Sequence, residues 1–177
     1  MEIRPASEND LSAVAETYTE LLTYEAEHGS HSNWQLNKYP TRSTAENAFR
    51  NGWLYVLIDA EKLCASMILN QNQLDSYAHI RWEYPAAPQE VLVIHTLCIP
   101  PSCAGKGYGT AMVRWAGQHA RVLGCRVIRL DTWAGNQPAA ELYTKLGFRY
   151  AGIQKTLFQG VIPEELVFFE FSLDQSA

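Results

Sequence analysis

Three glycines stand at alternate positions, Gly105, Gly107 and Gly109, between Ala104 and Thr110 and shortly after the pair Pro100 and Pro101. Glycine leaves a turn bare of side chains, and the apolar run at residues 91–99 leads into it as a buried strand would. A helix is expected to start near Tyr108. Amides at a helix start have no intrahelical partner and carry the positive end of the helix dipole. The turn therefore offers Gly105, Lys106, Gly107, Tyr108, Gly109 and Thr110 to an anion, a phosphate above all. His95 lies inside the apolar strand, two residues before Leu97 and on its face. Its ring titrates near neutrality and suits proton transfer, although a histidine paired within a core is the other reading.

Spacing separates this turn from two other phosphate-binding patterns. A nucleotide P-loop requires GxxxxGK followed by Ser or Thr, whereas Pro100 stands where its first glycine belongs and Gly107 follows Lys106. A dinucleotide fingerprint requires GxGxxG in the first strand-turn-helix unit, and here GxGxG falls in mid-chain.

The elements that must position the turn follow from periodicity. A short strand at residues 3–5 precedes a helix over about residues 8–27, with Ser7 and Asp10 at its start and apolar residues recurring at three and four. Thr41 or Ser43 opens a second helix that stops at Gly52. Strands are expected at residues 53–58 and 63–69 around a hairpin turn at 59–62. Tyr77, His79, Arg81 and Glu83 alternate with Ala78, Ile80 and Trp82, which predicts an extended edge segment within the long connection 70–89. After the fourth strand and the glycine turn, a helix runs to about Leu123, and residues 127–133 form a fifth strand. A helix then begins at Asn136 or Gln137, with Pro138 in its first turn and Gly147 at its end. Residues 148–153 and 166–173 are read as two antiparallel strands about a turn at 160–163.

With 47% hydrophobic and 19% charged residues, the 177-residue chain reads as one domain, residues 1–177. A net charge of -5 excludes the broad basic field that holds nucleic acid or an anionic membrane. The first ten residues lack a signal-peptide pattern and no apolar run approaches the ~20 residues that span a bilayer, so a cytoplasmic location is expected. Cys64, Cys98, Cys103 and Cys125 form no CxxC pair and no zinc spacing, and they are read as reduced thiols with no metal.

Leu97, Cys98, Ile99 and Pro100, followed by Ala104, Gly105, Lys106, Gly107, Tyr108 and Gly109, resemble the acyl-CoA signature of the GNAT N-acetyltransferase superfamily. That signature is a strand ending LxV, a proline, then R/Q-G-x-G-x-G/A. A second block, Leu130, Asp131, Asn136, Ala139, Ala140, Leu142, Tyr143, Lys145, Leu146, Gly147 and Phe148, is similar to the family's L-D/E…N…AA-x-x-LY-x-K-x-GF. The resemblance spans nearly the whole element order. It implies an α+β, three-layer GNAT fold: a mixed, mostly antiparallel central sheet, splayed between its fourth and fifth strands and flanked by helices.

The resemblance also implies acetyl-CoA as cosubstrate and a primary amine as acceptor, with direct transfer in a ternary complex and no metal. The backbone of Leu97, Cys98 and Ile99 would pair with the pantetheine arm, and an N–H near Leu97 would serve the thioester carbonyl. Direct transfer makes Cys98 a core residue rather than a nucleophile. The turn from Gly105 to Thr110 would take the diphosphate. Asn136 would bond the pantetheine arm, cap its helix, or do both. Tyr143 matches the tyrosine that faces the CoA sulfur as general acid, and packing on the cofactor is its alternative. Asp131 stands where the subgroup acetylating ribosomal-protein N-termini has its glutamate base, with a structural carboxylate as the alternative. Glu83, His28 and Glu25 are further base candidates, as is an ordered water chain.

The chain departs from the pattern at Ala104, where Arg or Gln is usual, and at Val93, where many members carry a glutamate. Two alternatives to a small-molecule N-acetyltransferase follow: a protein N-terminal acetyltransferase and a non-catalytic acyl-CoA sensor. The aromatic content of residues 167–171, read as exposed, suits a homodimer, since members of the family often pair through the sheet edge or terminal strands.

Overall fold

A computed structural model describes residues 1–158 and 160–175. Its elements in chain order are β1 (Glu2–Pro5), α1 (Leu11–His28), α2 (Arg42–Arg50), β2 (Leu54–Asp59), β3 (Lys62–Asn70), β4 (Val91–Cys98), α3 (Tyr108–Val122), β5 (Val127–Trp133), α4 (Gln137–Lys145), β6 (Arg149–Phe158) and β7 (Ile162–Ser172). The strands follow the order β1-β2-β3-β4-β5-β7-β6 in one mixed sheet. By contact density the chain divides into two units, one of Met1–Ser30, Trp34–Leu69 and His95–Trp115, the other of His31–Asn33, Asn70–Ile94 and Ala116–Ala177.

The first unit builds its core from α1, α2 and the first strands. Leu11, Val14 and Tyr18 of α1 and Ala45 and Ala48 of α2 pack on Leu54, Val56, Leu63, Ile68 and Cys98. The approach to α1 is fixed by Asp10, whose carboxylate accepts from the Ser7 amide at 2.7 Å and from both Arg4 Nη atoms at 2.8 and 3.0 Å. This holds its pKa at about 2. β1 pairs antiparallel with β2, and β2 with β3 through the tight turn expected at 59–62. Ala60 and Glu61 both take left-handed backbone, with φ of 46 and 61°, as a two-residue hairpin requires.

The second unit holds the parallel ladder of the sheet. Val91 to Ile94 of β4 pair in parallel with Val127 to Leu130 of β5, and the ladder stops there although both strands run on. β7 pairs antiparallel with β5 on one side and β6 on the other. Val91, Val93, Val127, Leu166 and Phe168 form a core with Tyr77 and Ile80. Val93 is therefore a packed core residue.

Four expectations are corrected. Residues 70–89 carry no edge strand; they hold a 3₁₀ turn at Asp75–His79 and a second at Pro88–Glu90, because Tyr77 and Ile80 are drawn into the core. β4 ends at Cys98, so Ile99 lies beyond it, where Pro100 and Pro101 stop the ladder. β6 and β7 run longer than the alternation indicated. Finally, the exposure expected at residues 167–171 is not found at Phe168 and Phe169, which are 0% and 4% exposed because other side chains pack over them, while Val167 and Phe171 are half-buried. No helix of the described residues is long and apolar enough to cross a membrane.

Candidate active site

In the first unit, the chain leaves β4 through Pro100 and a 3₁₀ turn at Pro101–Cys103, with Cys103 N–H donating to the Pro100 carbonyl at 2.8 Å. Gly105 and Gly107 then take φ of 75 and 80°. A Cβ at either would meet nothing within 4 Å, so glycine is needed for backbone conformation and not for space. The Gly107 carbonyl accepts from Ala111 N–H at 3.0 Å, which makes Gly107 the residue before α3. The first-turn amides of Tyr108, Gly109 and Thr110 consequently have no intrahelical acceptor. Tyr108 Oη donates to Asp59 Oδ2 at 2.7 Å, tying the helix start to the end of β2. That bond holds the Tyr108 proton, and its pKa rises. Lys106 and Ala104 are exposed.

Also in this unit, His95 and Leu97 are half-buried on one face of β4, while Thr96 and Cys98 are buried on the other. Thr96 has a φ of 46°, which a β-branched residue adopts only at a cost and which a regular strand does not use. Its hydroxyl is hydrogen-bonded to that of Tyr39. Cys98 sits in the core of α1 and α2, and burial pushes its thiol up to about 12. Such a thiol is inert as a nucleophile.

In the second unit, β5 directs Arg129 and Asp131 to the same face. Tyr77, 2% exposed, donates its hydroxyl proton to Asp131 Oδ1 at 2.6 Å. Desolvation raises the Asp131 carboxyl to about 6, and the Tyr77 bond opposes the rise. The Tyr77 ring meets Phe168 edge-on at 5.1 Å and Trp82 at 5.6 Å, and Trp82 Nε1 donates to the Tyr77 carbonyl at 3.0 Å.

Two buried charges hold the segment that carries Tyr77. Arg129 donates to Gln73 Oε1 at 2.7 Å and to the Tyr84 carbonyl at 3.0 Å, with its guanidinium 4.2 Å from the Trp82 ring centroid. Its cross-strand neighbour Glu170, 0% exposed, accepts from the amides of Glu83 at 2.8 Å and Tyr84 at 3.2 Å and from Arg149 Nη1 at 3.1 Å. The loop over residues 73–84 is thereby clamped to the sheet.

Tyr143 projects from α4 against Phe148 and Phe169 at ring distances of 5.6 and 6.0 Å. It is 5% exposed, and its hydroxyl makes no hydrogen bond to the described residues. Burial, with the Asp131 charge added, pushes its pKa above the ordinary phenol value and keeps it protonated. Asn136 caps α4, its Oδ1 accepting from Ala139 N–H at 3.2 Å, and its Nδ2 is left to donate elsewhere.

The structure thus brings Asp131 and Tyr143 together in the second unit, with Asn136 at the head of the same helix as Tyr143. His95, Leu97, Cys98, Ile99 and the glycine turn belong to the first unit. The further base candidates fare differently. His28 is exposed and stacked on Tyr24 at 4.2 Å, Glu25 is buried and accepts from Ser30 Oγ at 3.0 Å, and Glu83 is exposed. Two residues were missed, Tyr77 and Glu164. Tyr77 was hidden by the strand-like alternation around it. Glu164 stands in the Pro163, Glu164, Glu165 run, whose pattern signals only a turn. Among the described residues no three His, Cys, Asp or Glu side chains are placed to hold a metal.

Residues 15–148 match the model of the acetyltransferase (GNAT) family. Over 73 residues the chain is 33% identical to streptothricin acetyltransferase of Streptomyces lavendulae, a match covering 41% of this chain and 39% of that protein. The curated relatives are matched over 33% to 53% of their own lengths. A GNAT-family acetyltransferase structure from Streptococcus agalactiae superposes with a TM-score of 0.81 at 20% identity, over 97% of this chain and 94% of that one. A Salmonella typhimurium structure described with its cofactor acetyl-CoA superposes with a TM-score of 0.68 at 18% identity, over 99% and 95%. These structures bear on the fold alone. With well over half of its length matched by the family model, on the sheet order and glycine turn described above, the chain belongs to the acetyltransferase (GNAT) family.

Proposed function

We propose that the chain is an acetyl-CoA-dependent N-acetyltransferase that moves an acetyl group to a primary amine by direct transfer in a ternary complex. The observation that carries this reading is Tyr143: a buried phenol beside a carboxylate, its hydroxyl free of any described protein partner, on the helix whose sequence fits the family's second block.

The chemistry divides among named groups. The amides of Gly105, Lys106, Gly107, Tyr108, Gly109 and Thr110 receive the diphosphate at the positive end of α3. The backbone of Leu97, Cys98 and Ile99 pairs with the pantetheine arm, and Asn136 Nδ2 donates to it. An N–H near Leu97 polarises the thioester carbonyl. The neutral amine attacks that carbon, the C–S bond breaks, and Tyr143 protonates the departing thiolate. Asp131, fixed by Tyr77, sets the electrostatics beside Tyr143, and the His95 imidazole on β4 stands on the same face as Leu97 as a group able to relay a proton. Ala104 removes a side-chain contact to the diphosphate but leaves the row of amides in place.

The acceptor is proposed to be a small molecule. One matched relative is named for acetylating streptothricin, which supports an amine of that size. The test is a panel of amino acids, polyamines, aminoglycosides, streptothricin and N-terminal peptides with acetyl-CoA, read by thiol release. Turnover confined to small-molecule amines is expected. Turnover only with peptide N-termini would transfer the reading to protein N-terminal acetylation, and acetyl-CoA binding without any turnover would make the chain an acyl-CoA sensor.

A further inference from the structure

Glu164 lies near the start of β7, half-buried, paired across the sheet with Thr156 of β6. Its Oε2 accepts from Asn33 Nδ2 at 2.9 Å, while its Oε1 has no partner among the described residues. Asn33 is placed by a left-handed backbone with φ of 61°, a conformation asparagine tolerates better than most residues. The carboxylate is thus oriented on one side and open on the other. Asp131 is likewise held by one oxygen, but its Oδ1 accepts the Tyr77 hydroxyl at 2.6 Å against 2.9 Å for the Asn33 bond, and the shorter bond makes it the poorer proton acceptor.

We propose that Glu164, oriented by Asn33, is a further catalytic residue of the transferase reaction and accepts the proton that the acceptor's ammonium must lose before attack. The proposal rests on the transferase reading above. The N–H bond of the ammonium breaks and its proton passes to Glu164 Oε1, leaving a lone pair on nitrogen. Nitrogen then forms the bond to the acetyl carbon as the C–S bond breaks, and the thiolate takes the Tyr143 proton. Tyr143 is restored by the second proton that the new amide nitrogen sheds. Glu164 returns the first proton to solvent, so one amide, one thiol and one proton leave.

Burial pushes the Glu164 carboxyl up to about 7, with the Asn33 bond opposing and the Asp131 charge adding to the rise. A carboxylate with that value is basic enough to take a proton from an ammonium near neutrality. Titratable groups on the surrounding elements are His31 beside Asn33, Tyr77, Asp131, Tyr143, Lys155 and Glu165. Lys155 and Glu165 pair with each other at 3.7 Å, and Tyr77 is bound to Asp131.

The experiment compares pH profiles of kcat/KM for wild type, Glu164→Gln, Asn33→Ala and Asp131→Asn. The acceptor is whichever panel amine releases most thiol, and acetyl-CoA affinity is measured by calorimetry on the same preparations. Glu164→Gln is expected to lower kcat/KM about 100-fold at pH 7 and to abolish the limb that falls below pH ~7, with acetyl-CoA affinity unchanged. Asn33→Ala should move that limb to higher pH, because the carboxylate loses a donor, and Asp131→Asn should keep it. A Glu164→Gln profile that retains the wild-type limb overturns the inference alone. Acetyl-CoA binding without thiol release from any amine overturns the transferase reading and the inference together.

Discussion

Tyr143→Phe is expected to reduce kcat by about 10²- to 10⁴-fold, the usual worth of a positioned general acid, while leaving acetyl-CoA affinity within a factor of two. The reason lies in what the hydroxyl touches. Its ring packs on Phe148 and Phe169, contacts that phenylalanine preserves, whereas the oxygen has no described protein partner to lose. Stability should therefore stay level or rise slightly, because a desolvated hydroxyl is removed from a buried site. Single-turnover thiol release with calorimetric binding on the same protein separates the two effects. Equal loss of binding and turnover would make Tyr143 a packing residue.

Glu170→Ala is expected to cost about 3–5 kcal/mol, the range for removing one partner from a buried charge network. The carboxylate, 0% exposed, satisfies the Glu83 and Tyr84 amides and Arg149, and it lies cross-strand from the buried Arg129. Its loss leaves two amides unpaired and Arg149 with only its longer 3.8 Å pairing to Glu83, and it frees the loop that presents Tyr77 to Asp131. Urea unfolding should show the midpoint falling with an unchanged slope, and residual turnover should fall further than the folded fraction accounts for. A cost below about 1 kcal/mol would mean that water readily replaces the carboxylate.

The parts of the site that were legible in the sequence are those whose signal is local. Gly105 and Gly107 mark positive φ, Asn136 and Pro138 mark a helix start, and both lie within a few residues of the structure they specify. The segment around Tyr77 was misread because its conformation is set from afar. Its alternation is strand-like, but Arg129 and Glu170, 45 to 87 residues away along the chain, supply its partners. Glu164 was obscured by Pro163, which reads as a strand breaker. In the fold, the β5 ladder on β7 begins only at Leu166, so the missing N–H of Pro163 leaves no β5 partner unsatisfied. The exposure expected of residues 167–171 was misjudged on similar grounds: Phe168 is covered by the rings of Tyr77 and Trp82, and Phe169 by those of Tyr143 and Tyr150, all distant in sequence or on other elements.

The central claim is that this chain holds acetyl-CoA, and thermal unfolding with and without it is the most direct measurement. At a hundredfold excess over Kd the cosubstrate should add about 2.7 kcal/mol, raising Tm by roughly 5–10 °C for a chain of this size. Free acetate at the same concentration should have no effect. A Tm unmoved by millimolar acetyl-CoA would contradict the account.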